Sequence, residues 1–248
     1  MKRVLVMLLA LLLAVCCQPA LAEEAALRGY SASDGYVYVA LGQYPQEADG
    51  AVLPIVWRVL ATEDDHAYLL SEYILQAHRL HDDYKAWEKS GGDFAITEMC
   101  AFLNGEFAQT AFTDAELTLL VETESYGRLF LVTKDDLKNA SYGFTSDESR
   151  KAWGTAWATR PNAKGQSDLF IYRSARGNHS PYWTLTQSTT NPQAACCTKA
   201  KGNIGYINVI TVDEGCRPAC YLDLSLAVIT GGSGTLDDPY TIGTKEVE

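Results

Sequence analysis

The chain has 248 residues, with 20 Lys and Arg against 31 Asp and Glu and a formal net charge of -11. That acidic balance repels phosphate backbones and anionic lipid surfaces, which argues against a nucleic-acid partner. With 47% hydrophobic residues, the chain can bury a substantial core, as one large domain or one domain with a small appendage.

Residues 1–22 read as an export signal. Lys2-Arg3 is the positive end, Val4 to Val15 is an almost unbroken apolar run, and Ala20-Leu21-Ala22 offers small residues at the cleavage site. The apolar run is short for a bilayer span. Val15 before Cys16, and Cys16 before Cys17, are poor residues to precede a lipidation site. The expectation is a secreted, extracytoplasmic protein, released or loosely held at the cell surface, with no stable membrane span after cleavage. Residues 23–34 form a short lead-in, residues 35–228 the main domain, and residues 229–248 a Gly-rich joint and tail.

Tyr36-Val37-Tyr38-Val39 and Leu41 to Gln46 suggest a strand and a proline turn. Pro54 to Leu60, rich in β-branched and aromatic residues, is a second strand, and Asp64-Asp65 turns it back into His66 to Ser71 as a hairpin. Trp57 inside this pattern reads as a core plug. The polar stretch from Tyr73 to Gly91 holds His78, His81, Asp82, Asp83 and Glu88 without a familiar ligand spacing, and reads as a loop or short helix. Thr97 to Leu103 looks helical, ended by Asn104-Gly105. Thr113 with Glu116 three residues on forms a capping box for another helix. Leu129 to Thr133 reads as a strand, Ser149 to Trp157 as a short irregular helix, and Arg160 to Ser180 as long loops interrupted by the strand Leu169 to Tyr172.

The late stretch Pro181 to Ser225 gathers Tyr182-Trp183, Cys196-Cys197 and Gly215-Cys216-Arg217-Pro218-Ala219-Cys220. The exported part holds five cysteines, an odd number in a compartment that permits disulfides. The pairings expected join Cys196 or Cys197 to Cys216 or Cys220, with Cys100 left as a small buried hydrophobe. The spacing of the four clustered cysteines does not match zinc knuckles, and no metal or cofactor is expected. Arg217 has five donors and can tie loop carbonyls or a carboxylate together, and Pro218 pushes it toward extended geometry. Trp57, Arg58, Arg217 and Pro218 are therefore read as structural. Tyr172, Tyr182 and Trp183 are the candidate ligand-binding aromatics.

Several blocks together resemble the bacterial domain-of-unknown-function family 6273, found in exported proteins of anaerobic gut bacteria. They are Leu41 to Gln46, Pro54 to Leu60, Leu69 to Leu75, Phe102-Leu103-Asn104 with Phe107 and Ala111-Phe112, Tyr182-Trp183, Gly215 to Ala219, and Leu222-Asp223-Leu224. The similarity runs from about Gly35 to Ser225 and makes residues 35–228 the family-like domain. The resemblance implies an α+β fold of mixed or antiparallel sheets with short helices and long loops, C-type-lectin-like or formylglycine-generating-enzyme-like in organisation. Family members place an arginine and then Ser/Thr-Pro-Gly after the Trp-containing element, where this chain has Thr184 to Thr189.

No Gly-x-Ser-x-Gly elbow, His-Glu-x-x-His helix or Cys-x-x-Cys occurs, and none of the four histidines has a catalytic context. The reading is a secreted, non-catalytic binding or interaction module whose partner is a glycan or an extracellular protein. The alternatives are an extracytoplasmic thiol-dependent oxidase of the formylglycine-generating type, implied by the resemblance, and a purely structural module.

Overall fold

The computed structural model describes residues 26–160 and 179–245. The expected export signal, Tyr172 and the expected strand around it lie outside the described residues. The chain opens with β1 (Tyr38–Pro45), β2 (Val52–Glu63), β3 (His66–Ser71) and β4 (Gln76–Ala77). Short helices follow: α1 (Tyr84–Lys89), α2 (Glu98–Phe102), α3 (Ala108–Ala111), α4 (Asp114–Thr118) and α5 (Asp147–Arg150). The later strands are β5 (Ala152–Trp153), β6 (His179–Ser180), β7 (Tyr182–Gln187), β8 (Ala194–Thr198), β9 (Ile204–Asn208) and β10 (Gly215–Cys216). Last come β11 (Ala219–Asp223), β12 (Ala227–Gly231) and β13 (Tyr240–Thr244).

The fold is α+β, and strand outweighs helix, 36% against 19%, so sheets carry the core. One sheet has the order β11-β3-β2-β1-β13-β12, antiparallel except where β13 runs parallel to β1. A second has the order β4-β10-β7-β8-β9, with β10 parallel to β7. β5 and β6 form a separate pair. No helix among the described residues is long and apolar enough to cross a membrane.

The centre of the large sheet follows from β2. Val52 to Glu63 holds Ile55, Trp57, Val59 and Leu60 fully buried, and the Asp64-Asp65 turn returns the chain into β3, buried from Ala67 to Ser71. The Trp57 indole donates to Leu41 O at 2.9 Å and its ring stacks near Phe112. β1 is one strand with a bulge between Ala40 and Gln43. Gly42 sits there at φ 69°, and a Cβ would stand 2.6 Å from Phe112 Cε1, so only glycine fits.

Three local expectations are corrected. Ser149 to Trp157 is not a helix: α5 ends at Arg150 and Ala152–Trp153 is the strand β5. The helix beginning at Glu98 does not stop at Asn104-Gly105; a π-helical segment, Leu103–Phe107, carries it into α3. Asn104 holds that segment in place from its side chain, donating to Tyr126 O and Leu129 O while its own oxygen accepts from Arg128 N and Leu129 N. Leu129 to Thr133 forms no regular strand; it makes one isolated bridge, Phe130 to Ala219, and packs four buried side chains against the core. The Thr113–Glu116 capping box opens α4 as read from sequence.

The stretch expected to be a joint and tail supplies two strands of the large sheet, β12 and β13. β13 pairs with β1 through Val39–Tyr240 and Ala40–Thr241, and with β12 on its other side. The two sheets are joined by the Arg217-Pro218 step, which takes the chain from β10 straight into β11. Ser71 N donates to Pro218 O and Leu75 N to Cys216 O, so residues 71–75 and 216–218 run side by side at the seam.

Candidate functional site

Pairing of β11 with β3 sets Tyr221 directly opposite Tyr68. Their rings lie 4.9 Å apart at 34°. A short 3-10 turn, Ala140–Tyr142, brings Tyr142 edge-on to Tyr68 at 5.7 Å and 81°. Phe130 packs behind both strand tyrosines, 6.1 Å from Tyr68 and 5.3 Å from Tyr221. These rings back a groove of about 350 Å³ at the turn end of the β2–β3 hairpin, within the range of small-ligand sites. Glu63, Asp64 and His66 form its rim, and Val121 and Thr123 its far wall. Asp64, in the turn, has φ 49° and is the one non-glycine residue with positive φ among the described residues.

The groove is electronegative. The Tyr68 hydroxyl donates to Asp136 Oδ2 at 3.1 Å, and Asp136 is held by Thr133 N at 2.7 Å. Burial, then the Asp136 charge, pushes the Tyr68 phenol well up. Tyr142 and Tyr221 are raised in the same way, by burial first and then by Asp136, with Glu63 adding to both. All three tyrosines are neutral at physiological pH.

A second recess of about 340 Å³ lies beside Lys199, Lys201, Asp213 and Glu214. Lys199 Nζ donates to Glu214 Oε1 at 3.1 Å, while Glu214 Oε2 is buried without a hydrogen-bond partner among the described residues. Burial raises the Glu214 carboxyl to about 7, and the lysine offsets only part of that. Cys197, near Lys199, is pushed up to about 12 by burial, so its sulfur stays a thiol.

The aromatic residues named from sequence lie elsewhere. Tyr182 and Trp183 are fully buried. The Tyr182 hydroxyl donates to Arg150 O at 2.8 Å and the Trp183 indole to His78 O at 2.8 Å. Neither ring presents a face to solvent, so the expectation of a stacking surface there is corrected: both are core residues of β7. Tyr172 lies outside the described residues.

The residues read as structural are all at the seam. Arg58 meets Glu72 through Nε and Nη2, each at 2.7 Å, and lies over the Tyr36 ring. Arg217 is fully buried; its Nε donates to Ser71 O at 2.8 Å and its guanidinium lies over the Tyr182 ring at 5.0 Å. Nη1 and Nη2 of Arg217 have no hydrogen-bond partner among the described residues, and burial lowers its pKa. Pro218 makes the turn into β11.

The expected disulfides do not form. Cys100, Cys196, Cys197, Cys216 and Cys220 are all buried and unpaired, with no two at bonding distance. The sheet order gives the reason. β7 lies between β8 and β10, so Cys197 and Cys216 are two strand spacings apart, roughly 9–10 Å, beyond the reach of a disulfide. Cys220 belongs to the other sheet, opposite Leu69. Burial raises every one of these thiols.

The groove tyrosines carried no joint signal in the sequence. Tyr68 and Tyr221 look like ordinary strand residues, and only the β3–β11 register makes them neighbours. No protein-family model, no curated protein and no solved structure matches this chain.

Proposed function

We propose that this protein is a secreted, non-catalytic binding module and that the groove lined by Tyr68, Tyr142 and Tyr221 is its ligand surface, for a glycan or an extracellular protein. The observation that carries this reading is the groove itself: three tyrosines from three separate segments converge on one open recess with acidic groups at its rim. Aromatic rings with a polar handle are the residues that anchor such contacts. The apolar leader and the acidic composition support export. Membership of family 6273, with its lectin-like organisation, belongs to the same proposal; its matching blocks span β1 to β11.

The thiol-oxidase alternative needs two cysteines that solvent can reach, and the five described here are buried and held as thiols. The test is a screen of the secreted chain, without residues 1–22, against immobilised glycans and surface proteins. Tyr221→Ala is run beside the native protein, because Tyr221 is half-buried and its removal leaves the β3–β11 backbone pairing intact. We expect at least one ligand, with about tenfold or greater loss in the variant, the size of a well-packed aromatic anchor. Ligands that bind both proteins equally would place the function elsewhere.

A further inference from the structure

The polar groups facing the tyrosine groove are unbalanced in a way that selects its ligand. Two of the hydroxyls at the groove have already used their protons inside the protein: Tyr68 donates to Asp136, and Thr123 donates to Gly127 O at 2.9 Å. Glu63 and Asp64 on the rim offer carboxylate oxygens, which only accept when ionised. Among the described residues no Lys or Arg lines the groove, and His66 at the rim is the one basic group there. The Asp136 charge acts on all three tyrosine rings, and Glu63 adds to it at Tyr142 and Tyr221. What the groove offers a ligand is the rings and hydroxyls of Tyr142 and Tyr221, an edge of the largely buried Tyr68, and the carboxylates of Glu63 and Asp64. Tyr142 stands nearly perpendicular to Tyr68, while Tyr221 lies at a shallow angle to it, so ring surface bounds the recess from more than one direction. Ring faces carry negative quadrupole charge and attract cations, most strongly where water is excluded.

We propose that this groove is a cage for an organic ammonium group, primary or quaternary, presented by the ligand. The inference rests on the groove being the ligand surface, and it narrows that reading to a cationic group. An anion is repelled by the rim. A neutral polyol finds acceptors for its hydroxyl protons but gains nothing from the field, whereas an ammonium gains from both the rings and the carboxylates.

The probe is choline chloride, titrated into the leaderless protein at low salt and neutral pH by calorimetry, with the tyrosine ring resonances followed by NMR. Its neutral isostere, 3,3-dimethyl-1-butanol, has the same shape without the charge. n-Butylammonium separates a primary from a quaternary source, and binding of either cation supports the proposal. We expect choline to bind at least about tenfold more tightly than the isostere and to weaken by about fivefold or more in Tyr221→Ala and in Glu63→Gln. Glu63 is exposed, so its variant keeps the fold and isolates the charge. Equal binding of choline and isostere, or cation binding untouched by both variants, overturns the cage. If a neutral sugar or the isostere shifts the three tyrosines and the cations do not, the cage falls and the groove stands as the ligand site. If nothing shifts them, and ligands found by screening bind Tyr221→Ala normally, both fall together.

Discussion

Glu214 is a carboxyl almost wholly buried, with one oxygen on Lys199 and the other without a hydrogen-bond partner among the described residues. Its pKa rises from an ordinary 4.5 to about 7 because burial penalises the charge more than the lysine rewards it. The folded state therefore favours the protonated form. The contribution is fully present below the unfolded pKa and is lost as pH rises through the folded value, a window from about 4.5 to about 7. At 1.36 kcal/mol per unit the span is on the order of 3 kcal/mol. Glu214→Gln removes the ionisation and keeps an acceptor for Lys199. Urea melts at pH 5 and pH 8 should show the variant gaining about 2–3 kcal/mol on the native protein at the higher pH. A difference between the two proteins that does not change with pH would contradict this.

At the level of elements, the seam explains what the sequence could and could not convey. The hydrophobic run of β2, the Asp64-Asp65 turn and the Thr113–Glu116 box are local patterns that survive into the structure. The π-helical segment was not legible, because Asn104-Gly105 is a stop signal by composition and continues only through bonds from Asn104 to the distant 126–129 turn. That turn depends on Gly127, at φ 77°, whose Cβ would stand 2.5 Å from Asn104 Oδ1. Gly127→Ala should cost roughly 1–3 kcal/mol, from the backbone strain and the displaced amide. Gly105→Ala has nothing within 4 Å of its new methyl and lies in a helical segment, so it should be neutral or stabilise by about 0.4–1 kcal/mol. Denaturant midpoints for the two variants check the contrast; equal losses would show that Asn104 does not hold the turn.

Across the whole molecule, pairs of residues were harder to read than single ones. Arg217 and Trp57 were recognisable as interior residues from their neighbours in sequence, and both are fully buried. Cysteine count and proximity along the chain suggested cross-links, but strand order decides which sulfurs can meet, and β7 intervenes. Mass spectrometry with thiol alkylation should find all five cysteines unreactive in native buffer and all five labelled after unfolding without reductant. A peptide linking the 196–197 pair to 216 or 220 would contradict the sheet order.

The groove is likewise a property of register. Tyr182 and Trp183 are conspicuous in sequence and buried in the structure, while Tyr68, Tyr142 and Tyr221 are inconspicuous in sequence and share an opening. The most direct measurement is tyrosine-ring NMR of the leaderless protein with the ligand that screening returns. The account predicts that the resonances of Tyr68, Tyr142 and Tyr221 move while those of Tyr182 and of Tyr44, buried in β1, stay fixed. Saturating ligand that moves Tyr182 and leaves the other three in place would contradict it.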